Sequence, residues 1–245
     1  MQQYFVNDPL CIGKPVLLDD AQSHHILHVM RMKEGEQIAL SDERAMMLAQ
    51  IHAEGRKVQA MPISLIEAAT QLPAEVTLIM SLIRAERFEL VLQKAAELGC
   101  ARVIPLQTRY CVARLPKEKA GKKLERWNAI AAEACEQSRR LTRMPVLAPL
   151  TLGQLDEARS DLNLIAYERA DHHAQRLSSA LRHTSFASVS VMIGCEGGFA
   201  PEEVEQSMQT GFACVSLGPR ILRAETAAIA MLAAIGYELE SRGKE

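Results

Sequence analysis

Hydrophobic and polar positions change rhythm partway along this 245-residue chain. Up to about residue 70, short apolar runs at 16–18, 37–40, 46–51 and 58–63 are separated by turn formers such as Glu34-Gly35-Glu36 and Glu54-Gly55-Arg56. Short strands with a turn every ten residues or so predict a small β-barrel over residues 1–70. One helical stretch, 21–30, interrupts them. After a linker at 67–73 the texture changes. Residues 76–83 are apolar but for Thr77 and Ser81, which fits a strand buried on both faces. Helical spacing then runs over 86–98 and stops at Gly99, a carboxyl-terminal cap. A strand at 103–106, a helix at 124–141 and a strand at 162–167 follow. Strands alternating with helices predict a parallel α/β sheet over residues 74–245.

Two later pieces share one plan. Val189 to Phe199 and Val215 to Ala228 each begin as a short β-branched run, break at glycine and continue as a helical pattern. The first break is Gly194-Cys195-Glu196-Gly197-Gly198, with Pro201, Glu202 and Glu203 opening a helix, as proline and acids do in a first turn. The second is Gly218-Pro219, followed by Arg220, Arg223, Glu225 and Thr226 and a helix over 226–240. Such transitions put glycine-bearing loops at the carboxyl edge of a parallel sheet, where open α/β sheets bind ligands. A lone glycine is most simply a tight turn; the two breaks together, with their charges, predict a small-molecule cradle.

Charge narrows the chemistry. The net charge is only −2, so a nucleic-acid site has to be a local patch. Residues 102–143 supply one: eleven Lys or Arg against four Glu, with Arg109, Arg114 and Arg140 among them. A solvated helix face accounts for part of it, but a basic segment in a slightly acidic protein is what phosphate binding needs. The first residues show no basic stretch ahead of an apolar core, and the longest apolar run, 227–235, is too short to span a bilayer. Six cysteines without a Cys-x-x-Cys pair predict reduced thiols, a cytoplasmic location and no metal site. His24 and His28, at i,i+4 spacing, lack a third ligand nearby.

The motifs are recognisable in combination. They are His24-His25 leading to Val29-Met30-Arg31; Gln93-Lys94-x-x-Glu97-Leu98-Gly99; Glu133-x-x-Glu136-Gln137-x-x-Arg140; Ile193-Gly194-x-Glu196-Gly197-Gly198-Phe199; and Leu217-Gly218-Pro219-Arg220-Ile221-Leu222-Arg223-x-Glu225-Thr226. The chain resembles, over nearly its whole length, the RsmE family of ribosomal RNA uridine-N3 methyltransferases in the SPOUT superfamily. It departs at Cys195, where the family usually has proline, and in carrying no arginine among its first ten residues. The resemblance implies a PUA-like β-barrel and a SPOUT-type parallel sheet ending in a deep trefoil knot. It also implies S-adenosylmethionine as cofactor, a homodimer with active sites at the subunit interface, and a uridine of 16S ribosomal RNA, in the small ribosomal subunit, as substrate.

Carried onto this sequence, the resemblance puts the cofactor against Gly194, Glu196, Gly197, Leu217, Gly218, Ile221, Leu222 and Arg223. Arg223 is expected to stabilise negative charge on the base, with Glu225 or Glu196 as proton acceptor. Arg31, Arg109 and Arg140 are the expected RNA contacts, with Glu136 and Gln137 near the site and Tyr4 a further RNA candidate. Thr226 is expected to cap the last helix. Trp127 reads as a core anchor. A knotted methyltransferase acting on transfer RNA or a ribose hydroxyl, and a catalytically silent ribosome-binding protein, remain the alternatives. A dinucleotide-binding oxidoreductase is disfavoured, because neither break has Gly-x-Gly-x-x-Gly spacing.

Overall fold

The computed structural model describes residues 1–68, 70–167, 175–182 and 185–242. Packing divides the chain into two units, residues 1–71 with 135–143 and residues 72–134 with 144–245.

The first unit holds one five-stranded sheet. Its strands are β1 (Gln3–Phe5), β2 (Val16–Leu17), β3 (Gln37–Ser41), β4 (Met46–Glu54) and β5 (Lys57–Ile66), in the order β1-β3-β4-β5-β2. β1 runs parallel to β3, and the other neighbours are antiparallel. Alternate residues of the strands, Ile38 and Leu40, Ala49 and Ile51, Val58 and Ala60, form its core. Successive side chains of a strand point to opposite faces, so alternate residues share one core. The 21–30 helix is split into α1 (Asp20–His24) and a π-helical turn, His25–Val29. Asp19 caps α1 by accepting a hydrogen bond from the Gln22 amide at 2.8 Å. The turn ends where Arg31 takes a positive φ of 55°.

The helix expected over 124–141 occupies Lys117–Gln137 instead. It stops because Arg139 adopts φ 58°, and the Arg140 amide reaches back to the Cys135 carbonyl at 2.9 Å. That closing bond satisfies an end carbonyl, with arginine in the position glycine usually fills. Residues 135–143 then serve the first unit. Glu136 accepts from the Phe5 amide at 2.9 Å, Gln3 donates to the Arg140 carbonyl at 2.7 Å, and Ser41 donates to the Leu141 carbonyl at 2.6 Å.

The second unit is a six-stranded, wholly parallel sheet. β6 (Glu75–Ser81), β7 (Arg102–Leu106), β8 (Leu162–Ala166), β9 (Gln175–Arg176), β10 (Ser188–Ile193) and β11 (Ala213–Ser216) lie in the order β7-β6-β10-β8-β11-β9. β6 is buried along all but its first residue, Thr77 and Ser81 included, as a strand covered on both faces is. Its helices are α2 (Ala85–Glu97), α3 (the Lys117–Gln137 helix, through residue 134), α4 (Leu177–Arg182), α5 (Pro201–Gln209) and α6 (Ala224–Arg242). Trp127 is a core anchor, its ring 4.5 Å from that of Phe88. Gly99 ends α2 at φ 80°, and a side chain there would strike Leu72 at 2.9 Å. The short elements β1, β9 and α4, and the 3-10 turn Leu152–Ala158, carry too few residues to show a period.

Candidate functional site

Three strand ends meet at the site. β10 finishes at Ile193, β8 at Ala166 and β11 at Ser216, and these strands are neighbours in the order β10-β8-β11. All point the same way, so the glycine breaks after β10 and β11 emerge on one edge with β8 between them. They enclose a cavity of about 320 Å³, within the range of small-ligand sites. Gly194, Glu196, Gly197, Leu217, Gly218, Ile221, Leu222 and Arg223 all line it. Thus every residue expected at the cofactor stands on one wall or another of a single space.

Glycine is required at two of these positions for different reasons. A side chain on Gly197 would come within 2.8 Å of the Tyr110 Cβ, so this turn packs directly on the 108–111 segment. Gly218 takes φ 117°, a conformation that L residues rarely adopt. Glu203 fixes the same neighbourhood: its carboxylate accepts from the Ala200 amide at 2.9 Å, opening α5, and from the Arg109 amide at 2.8 Å.

The charged residues divide into two sets. Arg220 and Arg223 are exposed at the cavity, and among the described residues neither has an ion-pair partner. Glu196 is also exposed there, with one oxygen 3.4 Å from the Arg84 amide. Glu225 is placed differently. Its side chain is 12 % exposed and does not line the cavity; one oxygen lies 3.6 Å from Arg87. Arg87, which sequence reasoning missed, reaches the cavity from α2. Nothing in its spacing separates it from the other arginines of an amphipathic helix.

Several expectations are corrected. Arg140 is only 3 % exposed, so it is not presented to an RNA in solution; the chain reversal after α3 turns it inward. Neither it nor Glu136 nor Gln137 lines the cavity. Tyr4 is buried, with its hydroxyl 2.8 Å from His25 Nδ1. Thr226 does not cap α6, because the helix already begins at Ala224 and the Ala227 amide bonds to the Arg223 carbonyl at 2.8 Å. Arg31 and Arg109 are exposed, Arg109 pairing with Glu202 at 2.6 Å. The adjacent histidines His172 and His173, in a polar stretch that suggests an inert loop, lie outside the described residues. Among those residues no helix is long and apolar enough to cross a membrane.

Comparison with known proteins agrees with this architecture. Residues 70–236 match the RNA methyltransferase domain, and residues 18–45 match the RNA methyltransferase PUA domain. The ribosomal RNA small subunit methyltransferase E of Bacillus subtilis is 33% identical over 98% of this chain and 98% of its own length. That of Synechocystis is 33% identical over 94% of this chain and 75% of its own. The Neisseria gonorrhoeae methyltransferase E, solved bound to S-adenosyl methionine, superposes with a TM-score of 0.88 at 32% identity, covering 97% of both chains. A cavity built from the two glycine breaks, a matching domain over most of the chain and end-to-end relatives point the same way: this chain belongs to the ribosomal RNA small subunit methyltransferase E family.

Proposed function

We propose that this protein methylates N3 of a uridine in 16S ribosomal RNA, using S-adenosylmethionine held in the cavity between the two glycine breaks. The carrying observation is that both breaks and Arg223 line one space at the carboxyl edge of the sheet. The residues present suit the cofactor. Backbone is laid bare at Gly194, Gly197 and Gly218 for an adenosine to approach, and Leu217, Ile221 and Leu222 offer apolar walls. When bound, S-adenosylmethionine supplies a methyl group already activated on a sulfonium.

The protein's own work is then to prepare the base. Uridine N3 is a poor nucleophile while it carries its proton. Glu196 is the better-placed acceptor for that proton, since it stands at the cavity and Glu225 is engaged by Arg87. Loss of the proton spreads negative charge over the flanking carbonyl oxygens. Arg223, a cation with no carboxylate competing for it among the described residues, stabilises that charge; a fixed donor of this kind is worth roughly 10²–10³ in rate.

The remaining parts of the reading follow from the family. Residues 1–70 form a PUA-like β-barrel that grips RNA, with Arg31 on phosphate. Residues 74–245, apart from the 135–143 strip that belongs with the barrel, form the catalytic SPOUT domain, in which the chain around the cofactor is tied in a trefoil knot and Arg109 meets RNA. The enzyme works as a cytoplasmic homodimer on 16S ribosomal RNA or the small ribosomal subunit.

The test has two arms. Titration calorimetry should detect S-adenosylmethionine binding to the purified chain. Mass mapping of 16S ribosomal RNA from cells lacking the protein should show one uridine short of a methyl group, restored when the gene is returned. Binding without any missing methyl group on 16S ribosomal RNA would redirect the reading to another RNA. No binding at all would leave a silent ribosome-binding protein.

A further inference from the structure

We propose that Cys111 and Cys195 form a reversible disulfide at the wall of the cavity, making this pair a site of oxidative modification. Both thiols are free and buried, and they come from segments 84 residues apart in the chain. The segments are pressed together, because the Gly197 turn rests on Tyr110 and the Arg109 amide is bonded to Glu203. Each thiol acts on the acidity of the other more strongly than any other group does. Cys111 Sγ also lies 3.0 Å from Thr108 Oγ1 and 3.4 Å from the Thr108 amide, which donates to it. Cys195 lines the cavity, which brings a water-sized oxidant up to the partner thiol of Cys111.

The electrostatics favour reaction at Cys111. The neighbouring Cys195 thiol, followed by the Thr108 hydroxyl and amide, holds the Cys111 thiol below its ordinary value. The same neighbour relation, with burial, pushes the Cys195 thiol up. A thiolate next to a thiol is the arrangement in which the first attacks an oxidant and the second resolves the product.

The step balances with a hydroperoxide as oxidant. The Cys111 thiolate attacks a peroxide oxygen; an S–O bond forms, the O–O bond breaks and hydroxide leaves, giving a sulfenic acid. Cys195 sulfur then attacks the Cys111 sulfur; the S–S bond forms, the S–O bond breaks, and water leaves with the Cys195 proton. Two thiols lose two electrons and two protons, and hydrogen peroxide becomes two waters. The bond ties the glycine turn after β10 to the 108–111 segment.

The experiment is peptide mapping by mass spectrometry of the full-length protein, digested without reductant after exposure to hydrogen peroxide. A peptide pair joining Cys111 to Cys195, two hydrogens lighter than its parts and separated again by dithiothreitol, is expected. Its formation should slow less between pH 8 and pH 6.5 than that of an ordinary thiol of pKa about 8.5, which loses well over tenfold. The variant Cys111→Ser, checked for folding by circular dichroism, should yield no such pair. The wild-type map decides by itself if that variant fails to fold. Peroxide that oxidises the exposed Cys11 while Cys111 and Cys195 stay unlinked, or become separately over-oxidised, would overturn the proposal, as would a link to any other cysteine.

Discussion

The guanidinium of Arg87 stands 3.6 Å from the carboxylate of Glu225, joining the first turn of α2 to the first turn of α6. The other Glu225 oxygen is buried and, among the described residues, accepts no hydrogen bond. A carboxylate so enclosed depends on its one cation. Replacing Arg87 with alanine is expected to cost about 1–2 kcal/mol, less than for a fully buried pair because Arg87 remains about one-third exposed. The melting temperature should fall by several degrees. Adding Glu225→Gln to that variant should restore part of the loss, since an uncharged amide tolerates burial better. A double-mutant cycle by differential scanning calorimetry measures both.

Arg223→Ala should lower methyl transfer by roughly 10²–10³ with little change in stability, because the side chain is exposed and unpaired among the described residues. Single-turnover rates alongside thermal melts check this. A rate near that of wild type in a folded variant would remove Arg223 from the chemistry.

Gly197→Ala places a Cβ within 2.8 Å of the Tyr110 Cβ, an atom that cannot swing aside because it belongs to the side-chain stem. The turn has to shift, and S-adenosylmethionine affinity should fall at least about tenfold, a loss of about 1.4 kcal/mol. Gly121→Ala serves as the contrast. It lies within α3 with nothing inside 4 Å of the added carbon, and should raise stability by about 0.5–1 kcal/mol. Calorimetric binding for the first and denaturant unfolding for the second separate the two effects.

Glu89 receives two hydrogen bonds from Arg126, at 2.8 Å each, and these, with the charges of Arg126 and Lys123, hold its carboxyl below the usual glutamate value. A depressed folded value means the stabilisation is fully present above the unfolded pKa of about 4.3 and is lost as pH falls through the folded value. The melting-temperature gap between wild type and Glu89→Gln should therefore be constant above about pH 5 and close as the pH drops below about 4. A gap unchanged down to pH 2 would contradict the pairing.

The extent to which the sequence disclosed this structure depends on what each residue relies upon. The short apolar runs between 37 and 63 and the largely apolar stretch of β6 are local signals of burial, and their strands stand where they are expected. The glycine breaks were equally visible, because positive φ and close backbone approach leave few alternatives to glycine. Arg87, Tyr110 and the burial of Arg140 are not. The first two matter because of what distant segments bring beside them, and Arg140 is buried because Arg139 takes a left-handed conformation that arginine seldom signals. Glu225 shows the same limit: its type suggested a base, and its ion pair with a residue 138 positions earlier gives it another occupation.

Residues 135–143 belong with the amino-terminal unit although they follow 63 residues of the other one. A fragment cut at the linker near residue 70 therefore lacks the acceptor for the Phe5 amide and the carbonyl partners of Gln3 and Ser41. Dissection of this protein into separately expressed halves calls for a graft, carrying the nine-residue piece across on a designed connection. The nascent chain faces the same constraint: its first seventy residues leave the ribosome well before the strip that completes their hydrogen bonding has been made.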